Sequence, residues 1–212
     1  MTPTSSESDD EWGAVADTWD DSVEVRAYAA AAFASLERLL ASHGRELSGA
    51  HVCDFGCGTG LLTERLVDAG ATVDAVDTSP KMLEVLRAKV TRHSLSGIRV
   101  APTLADLDGS ARPARYDLIV GSSVFGFVPD YPAVAADLAS RLRSGGLFAQ
   151  WDWEREPVAA DQGDDDGAGL TRQEIADALR GAGLIRVDVE TAFELEMGDA
   201  VMRPLLGVGW AA

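Results

Sequence analysis

Three glycines at alternate positions follow an apolar run that ends in an acid, in the segment VCDFGCGTGLL at residues 52–62. Glycine is needed where the main chain turns with positive φ or touches a ligand directly. The apolar run predicts a strand that ends near Asp54, and the leucines after Gly60 predict a helix. A strand, a glycine loop and a helix in this order create a cleft outside the carboxyl end of a sheet, so we expect a ligand there.

A second acid, Asp77, ends the next apolar run, ATVDAVD. A carboxylate at that place accepts two charge-assisted hydrogen bonds from a ribose diol, so the glycines and Asp77 together predict a site for an adenosine-type nucleoside. A nicotinamide dinucleotide site usually has the spacing G-x-G-x-x-G. Here the third glycine comes one residue early and Leu61 occupies the expected position. This spacing disfavours an NAD(P)-dependent oxidoreductase, which stays as an alternative.

The pattern D-x-G-x-G-x-G from Asp54 to Gly60 resembles the first motif of the class I S-adenosylmethionine-dependent methyltransferases, within the group that acts on small molecules. The resemblance covers roughly residues 50 to 153 and, in outline, extends from there to the C-terminus. It implies S-adenosyl-L-methionine as methyl donor and S-adenosyl-L-homocysteine as product. It also implies these cofactor-binding residues: Asp54, Gly56, Gly58 and Gly60 in the glycine motif, Asp77 at the ribose, Thr78 and Met82 beside the adenosine, Ser122 near the methionine part, and Asp106 at the adenine amino group. At the last of these the match is weaker, because Leu104 holds the aligned position and Asp106 lies two residues later, where a capping or turn role is the alternative.

The resemblance implies in-line attack on the sulfonium methyl by a nucleophilic atom of the acceptor. Correct alignment of the two reactants can supply about 7–11 kcal/mol of the barrier, so a dedicated catalytic residue is optional and none is assigned. A catalytically silent protein that senses the cofactor or scaffolds a partner is therefore a second alternative. His43, His51 and His93 are expected to lie away from the site. Asp152 ends the fifth predicted strand, where an exposed strand-end acid is a simpler interpretation than a general base.

Short apolar runs alternate with amphipathic helices along the 212 residues. This order predicts an α/β fold with a Rossmann-like, seven-stranded, mostly parallel sheet, helices on both faces and an antiparallel C-terminal strand pair. The predicted strands are His51–Phe55, Thr72–Asp77, Ile98–Ala101, Tyr116–Ser123, Leu147–Trp153, Arg186–Leu195 and Leu205–Trp210. The predicted helices are Arg26–Ala41, Leu61–Ala69, Pro80–His93, Tyr131–Leu142 and Thr171–Ala182.

Residues 1–25 form an acidic N-terminal segment that we expect to be partly disordered, whereas residues 26–212 form the methyltransferase domain. Trp12 and Trp19 are large apolar groups in that acidic segment and need a surface to cover, so we expect the segment to close over the cofactor as a lid. Arg26 would then reach the methionine carboxylate. The charged segment at residues 156–169 has no periodicity and predicts a mobile surface loop.

A net charge of −17 without clusters of basic residues argues against nucleic-acid and anionic-membrane partners and leaves a small molecule as the expected partner. No signal peptide or membrane-spanning run is recognisable, which predicts a cytoplasmic protein. Cys53 and Cys57 are expected to pack as small residues, and no metal is expected. A modest-sized, partly hydrophobic or aromatic acceptor is expected from the aromatic residues near the site, which are Trp12, Trp19, Phe125, Phe127, Trp151 and Trp153. The sequence does not decide between a monomer and a homodimer.

Overall fold

The computed structural model describes residues 12–108, 115–155, 169–197 and 200–212. The strands are β1 (His51–Phe55), β2 (Thr72–Val76), β3 (Ile98–Ala101), β4 (Tyr116–Ser122), β5 (Leu142–Asp152), β6 (Ile185–Thr191), β7 (Leu195–Met197), β8 (Ala200–Met202) and β9 (Leu205–Trp210). The helices are α1 (Ala16–Trp19), α2 (Val23–Ser42), α3 (Leu61–Asp68), α4 (Pro80–Arg92), α5 (Leu104–Leu107), α6 (Tyr131–Ser140) and α7 (Arg172–Gly181), with short 3₁₀ turns at Gly13–Val15 and Phe125–Phe127.

Seven strands form one sheet in the order β3-β2-β1-β4-β5-β9-β6. Strands β1 to β5 run parallel, and β9 runs antiparallel to both β5 and β6. The predicted sheet and its antiparallel C-terminal pair are confirmed. The strand order reverses between β1 and β4, and a sheet of this kind opens a crevice at that point beyond the carboxyl ends of its strands.

Helices cover both faces of the sheet, as the sequence predicts. On one face α2, α3 and α4 bury a cluster that includes Leu36, Leu66 and Leu86. On the other face α6 and α7 bury a second cluster that includes Leu138 and Ile175. Neighbouring residues of the central strands contribute to opposite clusters because side chains alternate along a strand, which explains why these strands are apolar on both faces.

Capping residues fix the helix starts that the sequence marks. Ser79 accepts a hydrogen bond from the backbone of Met82 at the start of α4, and Thr171 and Glu174 form a reciprocal capping box at the start of α7. Helix α2 begins at Val23, three residues earlier than predicted, because Ser22 caps it by accepting from the backbone N–H of Val25.

The end of β6 and the junction between α6 and β5 differ from the prediction. The predicted strand Arg186–Leu195 is two elements: β6 ends at Thr191, where the backbone N–H of Ala192 donates to Pro204 O at 2.8 Å, and the chain then forms the separate β7–β8 hairpin. Helix α6 ends at Ser140 and β5 begins at Leu142, five residues earlier than predicted, because Leu142 already pairs with Tyr116 of β4.

Within the residues that the structure describes, no helix combines the length and apolar character needed to cross a bilayer. The predicted mobile loop lies outside the described residues apart from Gly169, as does the N-terminal segment before Trp12.

Candidate functional site

A cavity of about 300 Å³ lies beyond the carboxyl ends of β1, β2 and β4. One wall is the glycine loop and the start of α3, and a second is the end of β2. The third wall is the turn that follows β4, and residues of α2 and of the N-terminal segment complete the lining. Seven of the nine predicted cofactor-binding residues line it: Asp54, Gly56, Gly58, Asp77, Thr78, Met82 and Ser122. Gly60 and Asp106 are not among the lining residues.

The three motif glycines all have positive φ, but each meets different surroundings. The values are 71° at Gly56, 53° at Gly58 and 90° at Gly60. A Cβ at Gly56 would lie 2.4 Å from Val124 Cγ2, and one at Gly60 would lie 2.3 Å from Leu86 Cδ1. A Cβ at Gly58 would have no atom within 4 Å. Packing therefore explains the first and third glycines, and only the second leaves open space beside its Cα for a ligand.

Backbone hydrogen bonds tie the glycine loop to the end of β2. The N–H groups of Gly56 and Cys57 both donate to Val76 O, at 2.8 and 3.0 Å. The carboxylate of Asp77 accepts from the N–H of Gly58 at 2.8 Å through one oxygen and from the N–H of Ser79 at 2.9 Å through the other. Asp77 thus fixes the loop as well as facing the cavity, a double role that the sequence does not reveal.

Asp54 lies beneath the loop and is only 1% exposed. Its Oδ2 accepts a hydrogen bond of 2.5 Å from the hydroxyl of Thr63 in α3, which joins the end of β1 to the helix that follows the loop. Burial raises the pKa of the Asp54 carboxyl to about 7, and the Thr63 hydrogen bond opposes the rise.

Asp106 lies in α5 with an exposed side chain. Thr103 caps this short helix by accepting from the N–H of Asp106, and its hydroxyl donates to the Asp106 carboxylate at 2.5 Å. The cap of this helix is therefore Thr103 and Asp106 lies in the first turn that it caps, while the adenine contact of Asp106 stays a prediction.

The aromatic residues near the site divide between the cavity and the core. Trp12, Trp19 and Phe127 line the cavity, and the rings of Trp12 and Phe127 meet edge to face with centroids 5.0 Å apart. Phe125 and Trp151 are fully buried. Trp153 and Phe193 pack against Tyr28 of α2, which lines the cavity and donates its hydroxyl proton to Trp151 O at 3.2 Å.

The interpretation of Asp152 as an exposed strand-end acid is wrong, because its side chain is buried and the residue is 1% exposed. The turn after β4 folds back over the end of β5, and the N–H groups of Phe125 and Gly126 donate to Asp152 Oδ1 at 3.0 and 3.2 Å. Burial raises the pKa of the Asp152 carboxyl to about 7, and these hydrogen bonds oppose the rise.

The described part of the N-terminal segment is held against the glycine loop and α4. Asp20 accepts from the hydroxyl of Thr59, between the second and third motif glycines, at 2.6 Å, and from Lys89 Nζ at 2.9 Å. Asp17 pairs with Lys81 at 3.3 Å. Lys81 and Lys89 are the two lysines of the chain, and both lie on α4.

Other basic residues lie away from the cavity. The guanidinium of Arg26 donates to the backbone oxygen of Asp20, and Arg26 is not among the lining residues, so its contact with a methionine carboxylate stays a prediction. His51, the first residue of β1, has its Nε2 atom 3.1 Å from Asp74 Oδ2 in β2. His93 has its Nδ1 atom 3.2 Å from Glu64 Oε1. His43 lies against Trp210. None of the three histidines lines the cavity, in line with their expected positions.

Comparison with known proteins agrees with this geometry. Residues 52–146, which include the glycine loop and β2 to β4, match the model of a methyltransferase domain. A ubiquinone biosynthesis O-methyltransferase of Xanthomonas euvesicatoria is 36% identical over 117 residues, which are 54% of this chain and 47% of the relative. The chain spans about half the length of the curated relatives it matches.

Solved structures show the same fold over more of the chain. A methyltransferase from Aquifex aeolicus superposes with a TM-score of 0.66 over 94% of this chain and 98% of that one, at 18% identity. The magnesium protoporphyrin IX methyltransferase of Synechocystis, solved with S-adenosylmethionine bound, gives a TM-score of 0.60 over 83% of this chain and 77% of that one, at 22% identity. In its glycine motif, its match to a methyltransferase domain over residues 52–146 and its sheet order, the chain is similar to the class I S-adenosylmethionine-dependent methyltransferases.

Proposed function

We propose that the chain transfers a methyl group from S-adenosylmethionine to a small, partly hydrophobic or aromatic organic acceptor by in-line displacement. The observation that carries the proposal is that one cavity joins a nucleoside-binding loop, with Asp77 at its edge, to a wall of aromatic and aliphatic side chains. The match of residues 52–146 to a methyltransferase domain and the methyltransferases among the chain's relatives support the same activity.

The residues that line the cavity fit S-adenosylmethionine. The open space at Gly58 lets a ligand approach the main chain, and the Asp77 carboxylate is an acceptor suited to the ribose hydroxyls. Thr78 and Met82 supply a polar and an apolar contact beside the adenosine, and Ser122 lies where the methionine part would reach. We propose Asp106 for the adenine amino group, although it is not among the residues that line the cavity.

When bound, S-adenosylmethionine supplies a methyl group that is already activated by the positive charge of its sulfonium. The chain's own part is to orient the two reactants and to exclude water. Val124, Phe127 and Val128 bring apolar surface to the cavity from the turn after β4, facing Val25 and Tyr28 of α2. Alignment of this kind can supply about 7–11 kcal/mol of a barrier, so the arrangement needs no base among its lining residues.

The acceptor class follows from the chemistry of that wall. Pockets for organic molecules are mostly apolar with a few placed polar groups, and here Tyr28 and Ser123 are the polar groups on the acceptor side. Trp12 and Trp19 add aromatic faces at the mouth, suited to a flat acceptor ring. We propose that such an acceptor meets the protein in the cytoplasm, a reducing compartment in which Cys53 and Cys57 stay free thiols, as they are here.

We also propose that the N-terminal segment is a lid that closes over the bound donor. Its acids contact the glycine loop through Thr59 and α4 through both lysines, and its tryptophans line the mouth of the cavity. Deletion of residues 1–21 is expected to weaken binding of S-adenosylhomocysteine and to slow turnover, whereas unchanged affinity and turnover would contradict the lid.

Methyl transfer is tested with purified protein, isotopically labelled methyl donor and a panel of small phenols, thiols and amines, read by mass spectrometry. The proposal predicts that a labelled aromatic or partly apolar compound appears. Uptake of S-adenosylhomocysteine without transfer to any member of the panel or to metabolites of a cell extract would favour the silent binding protein instead.

A further inference from the structure

The turn between β4 and α6 forms the third wall of the cavity and is fastened to the core at its centre. Phe125 is fully buried and stacks on Phe55 of β1 with centroids 5.6 Å apart, and it also packs against Tyr131 and Phe148. The residues on either side of Phe125 in this turn, Val124, Phe127 and Val128, line the cavity. The placement of those side chains therefore depends on what fixes the main chain of the turn.

A buried carboxylate makes the fixing contacts. Asp152 Oδ1 accepts from the N–H groups of Phe125 and Gly126, and its Oδ2 accepts from Gln150 Nε2 at 2.9 Å. Gln150 in turn accepts a hydrogen bond of 2.6 Å from the hydroxyl of Tyr131, in α6. Every group that contacts the carboxylate in this network is a donor, which matches an ionised acid. Hydrogen bonds to a charged acceptor are about twice as strong as neutral ones.

The chain enters this turn in an unusual conformation. Ser123 has a positive φ of 55°, and its N–H donates to Trp151 O at 2.6 Å. A residue other than glycine holds such a conformation only where its surroundings fix it. The hydrogen bonds from the next residues to Asp152 provide that restraint from the end of the neighbouring strand.

We propose that Asp152 is the positioning residue of the acceptor wall: by holding the backbone of Phe125 and Gly126, it sets where Val124, Phe127 and Val128 face the cavity. The part of this inference that concerns the acceptor rests on the proposed function. The part that concerns the wall rests on hydrogen bonds alone.

The network is expected to respond to pH near neutrality. The titratable groups influenced by the Asp152 charge are Tyr28 of α2 and Tyr131 of α6, and burial raises the pKa of both phenols far above neutrality. With the pKa of Asp152 at about 7, this carboxyl alone among the three changes charge near pH 7. When protonated, it can no longer accept hydrogen bonds from all of its present donors, so the turn should loosen as the pH falls.

The first test measures amide hydrogen exchange by NMR on the full chain. In Asp152→Ala we expect the amides of Phe125 and Gly126 to lose about 10- to 100-fold of their protection, while the amide of Ile119 in β4 keeps its own. Asp130→Ala is the matched control, since Asp130 is an exposed acid that accepts one backbone N–H at the start of α6. Unchanged protection at Phe125 and Gly126, or an equal loss at Ile119, would overturn the proposal.

Asp152→Asn decides the matter even if the alanine variant does not fold, because asparagine keeps the shape and one acceptor oxygen without the charge. In the parent chain the amide shifts of Phe125 and Gly126 and the methyl shifts of Val124 and Val128 are expected to titrate together with a midpoint near pH 7. In the variant that titration is expected to vanish, with the methyl groups of Val25 on the opposite wall serving as internal reference. Persistence of the titration in Asp152→Asn would overturn the proposal.

Calorimetry with S-adenosylhomocysteine separates this inference from the proposed function. Both variants are expected to bind S-adenosylhomocysteine within about twofold of the parent chain, because Asp152 is not among the residues that line the cavity. A parent chain that binds no S-adenosylhomocysteine would remove the proposed function while leaving the exchange and titration results to judge the positioning of the turn. A large loss of binding in Asp152→Asn alone would overturn its assignment to the acceptor side.

Discussion

The two sides of the cavity are built by different means. On the cofactor side the main chain does most of the shaping, through glycines with positive φ and N–H groups tied to Val76 and Asp77. On the acceptor side, side chains such as Phe127 and Trp12 form the wall, and a buried acid and ion pairs hold them in place. The first side is encoded within a short motif, whereas the second needs residues from distant parts of the chain. Substitutions of the motif glycines should therefore act through sterics, whereas substitutions of the acids that support the acceptor wall should act through charge.

Gly56→Ala is expected to have the largest effect. The new Cβ would meet Val124 at 2.4 Å with a φ of 71°, so strain and overpacking add, and the cost in free energy of unfolding should be about 3–5 kcal/mol. Gly49→Ala is the matched control, because it has a similar φ of 75° and nothing within 4 Å, and it should cost about 1–2 kcal/mol. Urea unfolding compares the two, and equal costs would contradict the steric interpretation.

The free energy of unfolding is expected to depend on pH in the same way through both sides of the cavity, because each side contains one buried acid. The pKa values of Asp54 and Asp152 are raised from 3.8 to about 7, so between these values the unfolded chain binds fewer protons than the folded one. Each carboxyl therefore lowers the free energy of unfolding as the pH rises from about 4 to 7, by at most about 4 kcal/mol.

Urea unfolding at pH 5 and pH 7 checks this linkage in the parent chain, Asp54→Asn and Asp152→Asn. Each variant should lose less stability than the parent over this interval. A variant that loses as much as the parent would show that its carboxyl has an ordinary pKa. Asp130→Asn, at an exposed acid, is expected to behave as the parent does.

Asp77→Ala is expected to weaken binding of S-adenosylhomocysteine by about 10- to 100-fold, because each hydrogen bond to a charged group contributes about 1.5–3 kcal/mol. Calorimetry measures the change, and unaltered affinity would contradict the ribose assignment. Asp106→Ala sharpens the comparison, since the same loss in that variant would support the adenine contact. No loss would leave Asp106 with its local hydrogen bonds to Thr103, the cap of α5.

The smallest effect is expected at the lid. Asp20→Asn removes a partly buried ion pair with Lys89, but Lys89 keeps its pairing with Glu64, so we expect a cost of about 1 kcal/mol or less. Affinity for S-adenosylhomocysteine should fall no more than about fivefold, and the difference from the parent should shrink in high salt. Asp21→Asn is a control one residue away. Equal affinity of the two variants for S-adenosylhomocysteine at low salt would contradict a contribution of the Asp20–Lys89 ion pair to the lid.

The glycine loop and the elements beside it could be predicted from the sequence because their determinants are local. Positive φ at glycines, the cap at Ser79 and the apolar strands each follow from neighbouring residues, and the structure agrees with them. The acceptor side was harder to foresee, because the burial of Asp152 depends on a turn that begins some thirty residues earlier in the chain and folds over it. Likewise, the insertion of β9 between β5 and β6 is a matter of strand pairing between segments that are distant in sequence. The position of Asp152 at the end of a strand was the one feature of the sequence that could have indicated a contact with the turn after β4.

Isothermal calorimetry of the purified chain with S-adenosylhomocysteine, alongside Asp77→Ala, tests most directly whether the glycine loop and its acid form a nucleoside site. We expect one site per chain with an affinity that the substitution weakens at least about tenfold. Absence of binding to the parent chain, or equal binding to both proteins, would contradict the account.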